Sequence, residues 1–99
     1  MGRRAELHTM LKLITPKVYF QPPANVQLEY PCLVYHRDDI QVAHADNAPY
    51  RRTTRYMLTV IDRNPDSEIV EDISALPLCN YNRSYAVDNL NHDVFILYF

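Results

Sequence analysis

The chain has 99 residues, enough for one domain that hides roughly two-thirds of its unfolded surface on folding. Its formal net charge is −2, so no global basic field would attract nucleic acid or a membrane surface. Its only glycine is Gly2, which excludes a phosphate-binding P-loop, a dinucleotide fingerprint and a glycine-dependent nucleophile elbow.

The N-terminal third predicts one helix followed by strands. An apolar stripe at helical spacing predicts a helix over residues 3–14, which Pro16 ends. Residues 17–21 then predict a short strand, and residues 26–35 predict a second one. Within that second strand, Pro31 favours an edge position, a bulge or the start of a fresh strand.

Residues 36–54 form the longest polar segment and show neither a helix nor a strand period. We expect a long loop that projects from the domain, because so long a connection is unusual in a small domain and is commonly functional. The alternative is a long hairpin whose flanks pair beyond the body of the sheet.

The remaining segments predict a strand, a helix and two more strands. Residues 55–63 form the third strand, and a capping turn at residues 64–67 leads into a short helix that Pro77 ends. Residues 78–87 and 92–99 form the last two strands. The order α-β-β-β-α-β-β predicts a single α+β domain over residues 1–99, with a largely antiparallel sheet of about five strands and both helices on one face.

Two of these strands require dry surroundings on both faces. Residues 94–99 are six consecutive large apolar or aromatic side chains, and residues 56–61 are nearly as apolar. A sheet with one solvated face would alternate apolar and polar residues instead. Two short helices leave part of such a sheet uncovered, so we expect other copies of the chain to cover the rest. This indicates an assembly subunit rather than an enzyme.

The polar segment also holds the residues with metal-ligand chemistry, which are His36, Asp38, Asp39, His44 and Asp46. Their spacing matches no metal motif, so a solvated loop with internal ion pairs is the preferred interpretation, and a weakly held magnesium between subunits is the alternative. No nucleophile has a base at a workable distance, because Cys32 and His36 would lie about 13 Å apart along a strand. We therefore predict neither a catalytic site nor a cofactor.

The one notable cationic cluster is formed by Arg51, Arg52 and Arg55, interleaved with Tyr50 and Tyr56. These side chains could contact phosphates or stack on bases in a small nucleic-acid-binding module. Because the chain is mildly acidic, we favour ion pairs with carboxylates of a neighbouring subunit, since arginine is enriched at interfaces. The predicted subunit or neck interface residues are Asp38, Asp39, His44, Asp46, Tyr50, Arg51, Arg52 and Arg55.

The sequence predicts no targeting signal. The charged residues 1–6 are followed by His8 and Lys12, and the segment lacks the apolar core of a signal peptide. We therefore expect a protein that is made and folded in a cytoplasm, where Cys32 and Cys79 stay as buried free thiols.

Four segments of the chain carry a resemblance to a known family. They are Tyr30-Pro31-Cys32-Leu33-Val34-Tyr35, Ala45-Asp46-Asn47, Arg55-Tyr56 together with residues 59–67, and Asn89-Leu90-Asn91-His92-Asp93-Val94-Phe95. The chain resembles, roughly from Val18 onward, small proteins encoded among the head–tail joining and tail genes of long-tailed bacteriophages and prophages. These proteins look like tail terminators, also called tail-completion proteins.

The resemblance implies an α+β subunit of a hexameric ring in the virion, at the tail–neck junction, assembled in the host cytoplasm. Such a ring ends the tail tube, contacts the tail tube protein and the head–tail connector or stopper protein, and lets DNA pass through its lumen without specific binding. No catalytic residue, cofactor or membrane contact comes with the resemblance. The alternative within the same class is a head-completion or stopper protein on the portal side.

Overall fold

The computed structural model describes the backbone of residues 3–45 and 48–99 and the side chains of residues 4–40 and 53–99. Within these ranges the chain forms two helices and five strands. Their bounds are α1 Arg3–Ile14, β1 Val18–Phe20, β2 Cys32–Ala45, β3 Ala48–Asp62, α2 Glu68–Ser74, β4 Cys79–Val87 and β5 Leu90–Tyr98. The predicted α+β class with a five-stranded, mainly antiparallel sheet is confirmed.

The strands lie in the order β1-β2-β3-β5-β4. β1 runs parallel to β2, and every other neighbouring pair is antiparallel. The highly apolar β5 lies between β3 and β4, an inner position that suits a strand without a polar face. β1 and β4 form the two edges, but β1 pairs only with Leu33–Tyr35 near the start of β2.

Local sequence signals explain where α2 begins and how β4 turns into β5. The buried Ser67 caps α2, because its Oγ accepts a hydrogen bond from the N–H of Ile69 at 3.3 Å. Asp88 and Asn89 link β4 to β5 in a tight turn, with φ angles of 52° and 64°. Asp and Asn tolerate this left-handed backbone, so the hairpin closes without a glycine.

The main core lies on one face of the sheet. The register aligns Tyr35 with Leu58 and Leu58 with Phe95, so side chains from β2, β3 and β5 share this face. Residues of both helices join them in one cluster, which comprises Leu7, Leu11, Leu33, Tyr35, Tyr56, Leu58, Val60, Ile73, Phe95 and Leu97. This cluster is the helix-facing core.

The opposite face of the sheet, the second face, is also largely apolar. The alternation along β2, β3 and β5 places on it Cys32, Val34, Met57, Thr59, Ile61, Val94, Ile96 and Tyr98. None of these residues belongs to the helix-facing core. Cys32 and Val94 are buried, whereas Val34, Met57 and Ile96 are half-buried. The described residues thus build an apolar layer on the side of the sheet that the helices do not cover.

The prediction of a long loop over residues 36–54 is wrong. β2 and β3 pair from Cys32↔Ile61 out to Ala45↔Ala48, so most of this segment is the far end of a long hairpin, as the alternative had it. From Thr54 toward the tip of the hairpin, β2 and β3 pair only with each other, because β5 pairs with β3 only over residues 55–62. The reason for the error is physical: a ribbon beyond the core has no buried face, so its residues need no period of two.

The hairpin gives the molecule its elongated shape. β2 contains 14 residues, and at the usual rise of about 3.3 Å per residue such a strand spans roughly 46 Å. The principal extents of the molecule are 51 × 26 × 23 Å, so the long dimension matches the strand length. β2 begins at Cys32 rather than at residue 26, which corresponds to a fresh strand start after Pro31.

Two leucines on the same helix give a matched test of the helix-facing core. Leu11 is fully buried, whereas Leu13 is 85% exposed. We expect Leu11→Ala to lower the free energy of unfolding by about 2–5 kcal/mol, through lost burial and a residual cavity. Leu13→Ala should change it by less than about 0.5 kcal/mol. Urea unfolding of both variants measures the difference, and equal losses would contradict the assigned orientation of α1.

A histidine on α1 makes stability depend on pH. Nδ1 of His8 is hydrogen-bonded to the hydroxyl of buried Tyr35 at 2.8 Å. Burial lowers the pKa of His8 below its usual 6.5, and the positive charges of Lys12 and Arg4 add to the effect. The unfolded chain therefore binds the proton at higher pH than the folded chain, so this contribution to stability is complete above about pH 6.5 and is lost as the pH falls below it.

We expect the free energy of unfolding of the wild type to fall more steeply than that of His8→Asn between about pH 7 and about pH 5. Asn keeps a polar side chain near Tyr35 but cannot titrate. Denaturant unfolding at a series of pH values measures both slopes. Parallel curves for the two proteins would mean that His8 has the same affinity for protons in both states.

Candidate functional site

The base of the long hairpin carries a half-buried ion pair. Its strand register shifts between Arg37↔Tyr56 and Asp39↔Arg55, so Asp38 is the extra residue of a β-bulge. Nε of Arg55 donates to Oδ2 of Asp38 at 2.7 Å, and Oδ2 of Asp39 lies 3.9 Å from the Arg55 guanidinium. The bulge therefore lets two adjacent carboxylates approach one arginine, although adjacent residues of a regular strand point to opposite faces.

Arg55 also links the hairpin to the C-terminal strand. Its hydrogen bond with the Tyr98 side chain, followed by the one with Asp38, raises the pKa of the guanidinium. Tyr98 lies opposite Arg55 in the ladder between β3 and β5. The point where the hairpin leaves the sheet is thus held by one guanidinium shared between β2 and β5.

The structure brings together three of the eight predicted interface residues, Asp38, Asp39 and Arg55, and it does so within one chain. Four of the other five belong to the outer part of the hairpin. His44, Tyr50, Arg51 and Arg52 lie on β2 and β3, where the backbone alone is described, and Asp46 lies outside the described residues. Pairing of Arg51 and Arg52 with a neighbouring subunit stays a prediction.

The described side chains contain no group of three histidine, cysteine, aspartate or glutamate residues placed to hold a metal ion. Two members of the predicted polar cluster, Asp38 and Asp39, face Arg55 instead. Two further members, His44 and Asp46, lie outside the described side chains, so the alternative of a magnesium ion between subunits stays a hypothesis.

The outer edge of β4 is a surface that the sequence did not single out. Large apolar side chains are exposed along it and just before it, with exposed fractions of 68% for Leu78, 54% for Tyr81, 43% for Tyr85 and 49% for Val87. Leu78 also has a φ of 59°, a left-handed backbone that is uncommon for a bulky residue. The sequence analysis could not identify this surface, because β4 is an edge only by the order of the strands in the folded sheet.

Two aromatic contacts hold the side chains of this edge in place. Tyr81 packs edge-on against Phe95 with ring centroids 5.3 Å apart, and its hydroxyl donates to Oδ1 of Asp93 at 3.1 Å. Tyr85 stacks on His92 at 4.7 Å, and the Arg83 guanidinium lies 5.7 Å from the Tyr85 ring. These contacts leave the tyrosines anchored yet partly exposed, which suits a contact surface.

No protein-family model matches the chain, and no curated protein is significantly similar to it. Within the described residues, neither helix is long and apolar enough to cross a membrane. Three features of the fold bear on function: the second face of the sheet, the long hairpin and the exposed β4 edge.

Arg55→Lys tests whether the shared guanidinium holds the hairpin to the sheet. Lysine keeps the charge but cannot bond two partners in the fixed fork geometry of arginine. We expect amide hydrogen exchange to become several-fold faster in β2 and β3 near Asp38, with no change in the helix-facing core. Arg63→Lys, in the exposed turn after β3, is the control. Unchanged exchange in Arg55→Lys would mean that backbone pairing alone fixes this region.

Proposed function

We propose that this chain is a structural virion subunit that assembles into a ring, hexameric by the resemblance, at the end of a phage tail tube. In this role it is a tail terminator that joins the tube to the head connector, and it catalyses no reaction. The observation that carries the proposal is the second face, because apolar side chains stand there without a helix to cover them. The virion location, the ring and the partners rest on the resemblance together with this physical argument.

The second face supports self-association through the hydrophobic effect. Val34, Met57 and Ile96 are half-buried on the chain itself, so each can lose further apolar area to a neighbouring molecule. Every square ångström of apolar surface removed from water contributes about 25 cal/mol. Further burial is available at these half-buried side chains, because Cys32, Ile61 and Val94 on the same face are already buried within the chain.

The hairpin supports the same conclusion. Beyond Thr54 and Asp39 it is a two-stranded ribbon, because β1 and β5 pair only with the parts of β2 and β3 nearer the core. Such ribbons are marginally stable alone in water and gain stability from further strands or a covering surface. A projecting ribbon that docks on a neighbouring subunit would obtain that support, and this fits a subunit whose partners are copies of itself.

The resemblance supports a specific place for such an assembly. Its matching segments at residues 30–35, 55–56, 59–67 and 89–95 include the start of β2, much of the inner half of β3 and most of β5. These are the central strands of the sheet. The resemblance to phage tail terminators thus lies mainly in the central strands, and a further short match covers residues 45–47.

Two other functions are open alternatives. A head-completion or stopper protein would use the same ring-forming surfaces and differ only in binding the portal side. A nucleic-acid-binding module would use Arg51, Arg52 and Arg55, but Arg55 is already held by Asp38 and Tyr98. Its DNA affinity would fall steeply with added salt, whereas a ring that only lets DNA pass should show little affinity at low salt.

We expect the purified chain to form discrete oligomers in a concentration-dependent way, measured by sedimentation equilibrium and native mass spectrometry. Met57→Lys, which places a charge on the second face, should weaken this association at least tenfold, since a buried unpaired charge is costly. Leu13→Lys is the matched control, because it charges an exposed leucine on α1. Thermal unfolding of both variants checks that the monomer fold is kept.

Binding to tail tubes tests the specific role. The probe is a tube polymerised from the tail tube protein of the same viral genome, with the portal-side connector protein as the comparison. Retention on tubes supports a terminator, and retention on the connector alone supports a head-completion protein. A strictly monomeric chain at high concentration, with no affinity for either probe, would refute the proposal.

A further inference from the structure

The sheet ends in two unlike edges that both have free backbone groups. β4 has one neighbour, β5, so its outer edge is open over Cys79–Val87. β2 has β1 beside it only at Leu33–Tyr35, so its outer edge is open from His36 to Ala45 within the described backbone. The open parts have similar lengths, and an unpaired edge is a template for pairing with another chain.

Side chains of the same chain occupy part of the β2 edge. The N–H of Arg37 donates to Oε1 of Gln21 at 3.2 Å, and the N–H of Ile40 donates to the Asp39 carboxylate at 2.8 Å. Both donors belong to the strand but are bonded to side-chain oxygens, as expected where no neighbouring strand supplies carbonyl groups. A strand placed beside β2 could take over these donors and release the Asp39 side chain.

The two edges carry opposite charges on the same face of the sheet. Arg83 pairs with Val94, and Asp39 pairs with Arg55; the unbroken ladder between β3 and β5 puts all four on the second face. Asp39 is half-exposed, and its nearest cation among the described side chains is Arg55, at 3.9 Å. Arg83 is the only charged residue of β4, and among the described residues it has no carboxylate partner.

We propose that the β4 edge of one copy pairs with the outer β2 edge of the next, so that the sheet continues from subunit to subunit with Arg83 beside Asp39. The strand directions suit this arrangement. β4 runs opposite to β2 in the sheet, so a neighbour related by rotation about an axis along the strands presents β2 antiparallel to β4. This inference deepens the proposed ring by naming its interface, and it rests on that proposal.

A head-to-tail interface of this kind uses two different surfaces of each copy. It therefore generates a closed ring when the rotation per subunit closes, and it pairs the open edge of β4 with the open part of β2 in every copy. The competing geometry joins β4 to β4 across a two-fold axis. That geometry brings two Arg83 side chains toward each other with no anion between them, and it leaves both β2 edges open.

Charge reversal distinguishes the two geometries. We expect Arg83→Glu and Asp39→Arg each to weaken self-association about tenfold or more, because each places like charges across the interface. An equimolar mixture of the two variants should associate nearly as tightly as the wild type. In the mixture, the introduced glutamate of one variant meets the introduced arginine of the other, and the unchanged Arg83 meets the unchanged Asp39. When the two variants alternate from copy to copy, every interface therefore joins opposite charges.

Sedimentation equilibrium measures the association, and Arg63→Glu is the control for a charge change at an exposed site outside both edges. Circular dichroism checks whether Asp39→Arg keeps the native fold. If the introduced arginine disturbs the fold, the milder change Asp39→Asn takes the place of Asp39→Arg. Loss of association in both variants together with recovery in the mixture supports the head-to-tail pairing.

Normal assembly of Asp39→Arg, with only Arg83→Glu impaired, would overturn the inference in favour of β4–β4 dimers. Normal assembly of both variants would overturn it and leave the proposed ring intact, with its interface elsewhere. A wild type that stays monomeric at every concentration would instead refute the proposed function itself.

Discussion

The register among β2, β3 and β5 is the constraint on which the rest of the structure depends. It aligns Tyr35, Leu58 and Phe95 on one face and Val34, Thr59 and Val94 on the other. The first set forms a core with α1 and α2, and the second set forms a separate apolar layer. A register shift of one residue in any of these strands would move each of its side chains to the opposite face of the sheet. The side chains of that strand would then lose their cross-strand neighbours on both faces.

The same ladder explains the shape and the exposed surfaces of the molecule. β2 and β3 continue past the strands that flank them, so the sheet narrows to a two-stranded ribbon with the bulge at Asp38 at its base. Arg55 holds that base to β2 and to Tyr98 of β5. The strand order leaves β4 and the outer part of β2 as edges. The apolar second face and these open edges are the surfaces that the proposed ring would use.

The residue pattern was sufficient where burial imposes a period. α1 was predicted with its observed bounds, because one face of it is buried in the helix-facing core and Pro16 follows it. The order of two helices and five strands was also readable, since Pro and Asn–Asp turns separate the apolar runs. The hairpin beyond Asp39 was misread as a loop because no core surface selects a period there. The exposed β4 edge was missed because a strand's place in the sheet is set by its partners.

Sequence alone determined that this chain carries more apolar strand than two short helices can cover, because six consecutive apolar residues at its C-terminal end have no polar face. Only the tertiary structure decided where the apolar strand surface that the helices do not cover lies. Pairing between distant segments chose which strands became edges, brought Asp38 and Asp39 to one arginine, and placed Arg83 on the same face as Asp39. Those choices depend on contacts far apart in the chain, and local residue preferences do not encode them.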